Sequence, residues 1–201
     1  MYISGGTSTI TDCSISNNRA DEINGGGLYF YNASNFMLGN CIIQGNQAVQ
    51  GGGVYAEDGS LGNYGGCSIL SNLADDAGGG ICALDNSDME LEGCVVGGNT
   101  AGSGGGLFCD QNTDTDMSGC TIELNSALEG GGMYNNYYSN SILTDCQVRD
   151  NSTPGPGGAM LNIQCSSLLF SSVFCGNGTT PIEGEWTDGD GNNDFSDVCP
   201  A

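Results

Sequence analysis

The stretch "NSALEGGGMY", Asn125 to Tyr134, sets three consecutive glycines ahead of a large apolar residue and a tyrosine. Three missing side chains beside a short apolar run mark a backbone constraint, because glycine alone combines free φ with no Cβ. The same triplet stands at 25–27, 51–53, 78–80 and 104–106, and in degenerate form at Gly157, Gly158 and Ala159. One apolar residue follows each copy: Leu28, Val54, Ile81, Leu107, Met133 and Met160.

Other columns keep the same register. Cys13, Cys41, Cys67, Cys94, Cys120 and Cys146 are 28, 26, 27, 26 and 26 residues apart. Two residues on lies an aliphatic residue (Ile15, Ile43, Ile69, Val96, Ile122, Val148), and five on an asparagine (Asn18, Asn46, Asn72, Asn99, Asn125, Asn151). An altered seventh copy carries Ser172, Phe174 and Asn177 in these slots. Fourteen residues separate the last glycine from the next cysteine in five copies, so length variation is confined to the segment between cysteine and triplet.

A period near 26 with short apolar segments, abundant Gly and Asn and no helical periodicity predicts a strand solenoid. The expected fold is all-β, a right-handed single-stranded parallel β-helix of about seven coils. Each coil adds about 4.8 Å, giving a rod of roughly 36 Å. Residues 1–174 form the coils and 175–201 a C-terminal cap. The cysteine and aliphatic columns point inward. The asparagines are expected to occupy a left-handed corner and to hydrogen-bond from coil to coil, while the triplet serves a positive-φ turn or a close backbone approach.

The motifs "ISNN", "IIQGN", "FCGN" and "GGAM" resemble the repeats of chlamydial polymorphic outer-membrane proteins and of secreted bacterial proteins with right-handed β-helix repeats. The closing segment "FCGNGTTPIEGEWTDGDGNNDFSDVCP" resembles the ends of such proteins in planctomycete-like marine bacteria. The resemblance covers nearly the whole chain and implies an extracellular or cell-surface scaffold, often adhesin-like. These motifs encode coil geometry and carry no activity.

Composition narrows the partners. The 201 residues carry 24 Asp and Glu against two arginines, with no lysine or histidine. Such a surface repels phosphate backbones and anionic headgroups, so nucleic acid is no partner, and no apolar run is long enough for membrane insertion. Met1-Tyr2 aligns with Leu28-Tyr29, so the chain is expected to start in mid-coil, as a fragment or with its first coil packed on something else; no signal sequence is recognisable in it. End-to-end or side-by-side self-association, and a glycan or protein partner, are the interactions such a rod invites.

Candidate site residues fall in four groups. Tyr29, Tyr55, Phe108 and Tyr134 form an outward row two residues beyond the triplets. It reads either as rings covering a glycine-rich backbone, the preferred reading, or as a stacked stripe for sugars or a protein partner. Asp188, Asp190, Asn192 and Asp194 in "DGDGNND" alternate oxygen ligands as in a calcium loop, but the glycine and closing glutamate of an EF-hand are missing and a solvated turn is preferred. No cofactor is required; calcium is the one candidate. Cys175 and Cys199 bracket the cap and are expected to form a disulfide. The cysteine column reads as soft-metal ligands, as disulfides between coils or as buried free thiols, the last being preferred because in-register side chains strain the disulfide torsion. The asparagine column Asn18 to Asn177 is structural, which also makes the sequons at Asn151 and Asn177 coincidental.

Catalysis is disfavoured. A uronate lyase needs a cation and a basic residue, and Arg19 and Arg149 sit beside ladder asparagines on separate coils. A hydrolase needs two positioned acids, and no carboxylate pair stands out. Ice binding would need a threonine ladder across coils, whereas "TSTIT" at 7–11 lies within one.

Overall fold

The computed structural model describes residues 1–199. It is a parallel β-solenoid in which each coil contributes three short strands. In the second coil these are Leu28–Tyr31, Asn35–Gly39 and Ile42–Gln44. Each strand pairs in register with its counterparts one coil before and after, as in Leu28↔Val54↔Ile81↔Leu107. The three resulting faces enclose one core. The first two join through Met160–Phe170, an 11-residue strand that runs on across the corner. No helix occurs among the described residues.

The corners follow from φ. Left-handed residues precede the cysteine column (Asp12, Asn40, Gly66, Gly93, Gly119, Asp145) and its serine successor (Ser171). A second set, Asn17, Gly45, Ser71, Gly98, Leu124, Asp150 and Gly176, immediately precedes the ladder asparagines. The asparagines therefore do not occupy the left-handed position themselves, contrary to the sequence expectation. The preceding residue makes the turn, and this swings the asparagine side chain inward.

Once inside, each asparagine is fully engaged. Asn72 Oδ1 accepts from both the backbone N–H and Nδ2 of Asn46, at 2.9 and 3.0 Å. Asn72 Nδ2 in turn donates to Ile43 O and to Asn99 Oδ1. The pattern runs from Asn18 to Asn177. Asn18 is exposed, as is Cys13, because both lie on the terminal coil.

The three glycines answer to different constraints. Gly51 has φ +62°, and a Cβ there would lie 2.5 Å from Val54 O. A Cβ on Gly52 would fall 2.5 Å from Leu73 O and 2.6 Å from Gly79 O, and one on Gly53 2.6 Å from Gly80 O. Positive φ and close backbone approach both operate, at successive residues.

A second ladder is made of hydroxyls. Ser34, Ser60, Ser87, Thr113 and Ser139 are fully buried. The backbone N–H of each donates to the hydroxyl of the next, at 3.0 to 3.3 Å. Deeper inside, Asn135, Ser141, Asn162 and Ser167 hydrogen-bond to one another, extending the Cys109–Thr115 contact of the preceding coil, where earlier coils have residues such as Phe30, Phe36, Ala83 and Met89. A satisfied polar cluster of this kind restricts how the later coils can pack.

Past Asn177 the sequence columns stop but the stack continues. Ile182–Asp188 pairs in parallel with Met160–Phe170, and Asp194–Ser196 with Val173–Cys175. Phe195 stacks on Phe174 with ring centroids 5.0 Å apart, and Trp186 lies 5.1 Å from Phe195. These rings lie over the end of the core while remaining 38% (Trp186) and 39% (Phe195) exposed.

Candidate functional site

The second face carries a surface groove. Strand alternation turns one set of residues inward, such as Phe36, Leu38, Met89 and Leu91, and the other outward. The outward columns read Asn35, Leu61, Asp88, Asp114, Asn140 and Met37, Asn63, Glu90, Asp116, Ile142 along the stack. Over the first coils they line a groove of about 510 Å³ with Thr7, Thr9, Asn35, Met37, Leu61, Asn63, Glu90 and Asp116 on its walls. A neighbouring hollow continues past Asp88, Asp114, Asp116 and Asn140.

Carboxylates dominate this face. Partial burial, then Asp114, Glu90 and Asp88, raise the Asp116 carboxyl above its ordinary range. Asn63 Nδ2 donates to Glu90 Oε2 at 2.9 Å, and Asn140 to Asp114 Oδ1. The groove offers acceptors and amides for hydroxyl-rich ligands and apolar patches at Met37 and Leu61. Both arginines are engaged elsewhere, Arg19 with Asp21 and Arg149 with Glu123 at 2.7 Å.

Two exposed rings lie at the corner that leads into this face. Tyr137 and Tyr138 are 52% and 68% exposed. They hold left-handed φ of 40° and 64°, where other coils place Asp58-Gly59 or Gln111-Asn112. A non-glycine residue pays roughly 1–2 kcal/mol for that conformation. The tyrosines of "NNYYSN" fall outside every repeat column, so the repeat pattern does not mark them as a site.

The row read as a stripe has a different character. Tyr29, Tyr55, Phe108 and Tyr134 do lie on the outer surface of the first face, but Tyr55 is 2% exposed and packs with Ala77 and Cys82. The rings meet edge to face, at 85° for Tyr29–Tyr55 and 84° for Phe108–Tyr134, so no flat stacked platform exists. Tyr29 and Tyr55 both donate to the Glu57 carboxylate. Burial, with Glu57 adding, pushes both phenols up. Ala77, from the segment ahead of the third triplet, folds over this surface at Tyr55 and Cys82, which outward alternation alone does not reveal.

A family model, the right-handed β-helix region, matches residues 2–179. The chain belongs to the right-handed β-helix family. Comparison with curated proteins and with solved structures gives no match.

In this β-helix, the "DGDGNND" oxygens serve the turn. Asp190 accepts from Ser171 Oγ at 2.6 Å and from the Asn192 N–H, and Asp188 Oδ1 from the Gly191 N–H and Asn193 Nδ2. The Ser171 hydroxyl holds the Asp190 carboxyl down at about 2. Asn192 enters through its backbone N–H, and Asp194 opens the last strand. Among the described residues no three His, Cys, Asp or Glu side chains converge as in a multidentate metal site.

Cys175 and Cys199 are joined, with Cα atoms 4.9 Å apart. The other nine cysteines are free, and only Cys13 is exposed. The Asn151 and Asn177 amides are buried in the ladder, which leaves Asn32 as the exposed sequon.

Proposed function

We propose that this β-helix is a non-catalytic extracellular or cell-surface scaffold, adhesin-like, related to the repeat region of polymorphic outer-membrane-type proteins. One observation carries the reading: the inward cysteine, aliphatic and asparagine columns repeat from coil to coil, whereas the outward columns of the second face do not. Met37, Asn63, Glu90, Asp116 and Ile142 share one column yet differ in charge, size and polarity. The regular part builds the rod, and the irregular part is free to specify a partner. The high acidity suits salty surroundings, where self-repulsion is screened within about 8–10 Å.

The groove supports a second reading, a carbohydrate-binding module. Its amides and carboxylates suit sugar hydroxyls, and the exposed tyrosines nearby suit a pyranose face. The β-helix family includes both adhesin-like and polysaccharide-degrading members, so the test must separate three outcomes. Titrating neutral and acidic oligosaccharides while following tyrosine fluorescence, alongside reducing-end release, does so. A plain scaffold gives no response to glycans, and a binding module gives saturable quenching that Asn63→Ala weakens. Release of new reducing ends that Asp116→Asn abolishes would overturn both readings.

A further inference from the structure

We propose that the cysteine column is a binding site for a soft monovalent d¹⁰ cation such as Cu(I) or Ag(I). The ion would be held by two collinear sulfurs and taken up first between Cys13 and Cys41. All six ladder thiols are free. The Sγ atoms of Cys67, Cys94, Cys120 and Cys146 repeat one arrangement, each facing the carbonyl two residues earlier and a carbonyl of the preceding coil. Cys41 does the same with Gly39 O and Ile10 O.

Sulfurs in one repeated orientation are separated by the coil rise, about 4.8 Å. That is more than twice a disulfide bond, about 2.05 Å. Two metal–sulfur bonds of roughly 2.3 Å laid end to end span about 4.6 Å, so a two-coordinate cation fits the gap with little movement of the backbone. Thiol sulfur selects soft cations over the hard ions that the surface carboxylates would attract.

The step balances without redox chemistry. One thiol loses its proton to solvent and bonds to the cation through its thiolate. The second contributes a lone pair and keeps its proton, so the assembly is neutral, as a dry core requires. Cys13 is exposed and Cys41 fully buried, which makes this gap the one open to solvent. Serine is tolerated in the column, because Ser172 Oγ makes the same contacts, to Phe170 O and Leu143 O.

The test is an Ag(I) titration of the whole chain in chloride-free buffer with excess Mg²⁺, read by native mass spectrometry, the sulfur-to-metal ultraviolet band and proton release. The expected result is one tightly held silver ion with about one proton released. Cys13→Ser and Cys41→Ser should each weaken this at least tenfold, while Cys82→Ser does not. Cys13 is exposed, so its variant remains informative even if Cys41→Ser fails to fold. Unchanged silver binding in Cys13→Ser, or loss of binding in Cys82→Ser, overturns the proposal.

Discussion

Asn72 Oδ1 accepts two hydrogen bonds from one residue, the backbone N–H and the side-chain amide of Asn46, 26 positions earlier. A single oxygen thus fixes both the corner and the side chain of the neighbouring coil. Asn72→Ala would orphan the buried Asn46 N–H, costing about 1–3 kcal/mol, and would take from Ile43 C=O its side-chain donor while the strand pairing with Ile69–Leu70 remains. We expect a loss of about 2 kcal/mol by denaturant unfolding. Asn18→Ala, on the exposed terminal coil, should cost about 1 kcal/mol or less.

Glycines that look alike in the sequence should respond differently to alanine. A Cβ on Gly79 would fall 2.5 Å from both Gly105 O and Thr100 O, whereas one on Gly59 meets nothing within 4 Å and bears only a φ of +72°. Gly59→Ala should cost about 1–2 kcal/mol. Gly79→Ala should cost clearly more or prevent folding, as thermal melts of the two variants will show.

Leu124 is a leucine in a glycine's place. It has φ 56° and is exposed, in the slot held by Gly45, Gly98 and Gly176 in other coils. Leu124→Gly should therefore stabilise the protein by about 1 kcal/mol, seen as a raised denaturation midpoint at unchanged m-value.

The last coil depends on its disulfide. Closing the 24-residue separation between Cys175 and Cys199 contributes about 3 kcal/mol. In a solenoid each coil touches only its neighbours, so Cys199→Ser should raise hydrogen exchange in Asp194–Ser196 while leaving Leu107–Cys109 protected.

Acid should weaken the same end through Asp190. Its folded pKa is lowered to about 2 by the Ser171 hydroxyl. The stabilisation is present above the unfolded value of about 3.9 and is lost as pH falls from there through 2. Asp190→Asn should remove that part of the pH dependence, measured by melts between pH 5 and 2.

Much of this architecture was legible because its constraints recur: Cys41, Ile43, Asn46 and Gly51–Gly53 each meet their own counterparts one coil away, so selection for coil geometry writes a visible column. The Ser34–Ser139 ladder obeys the same period, yet serine and threonine are frequent elsewhere in the chain and the column did not stand out. Alternation gives the outward direction of Tyr55 but not its exposure, because Ala77, from the variable segment of the next coil, covers it. Ile182–Asp188 pairs without a triplet or ladder residue to announce it. The groove at Asn63, Glu90 and Asp116 left no sequence signal, since what distinguishes it is the absence of repetition.

The most direct test of the stacked, in-register core is an NOE experiment on protein labelled only at asparagine. A continuous walk of amide cross-peaks from Asn18 through Asn46, Asn72, Asn99, Asn125 and Asn151 to Asn177 is expected. A folded sample in which the Asn46 and Asn72 side-chain amides show no cross-peak would contradict the account.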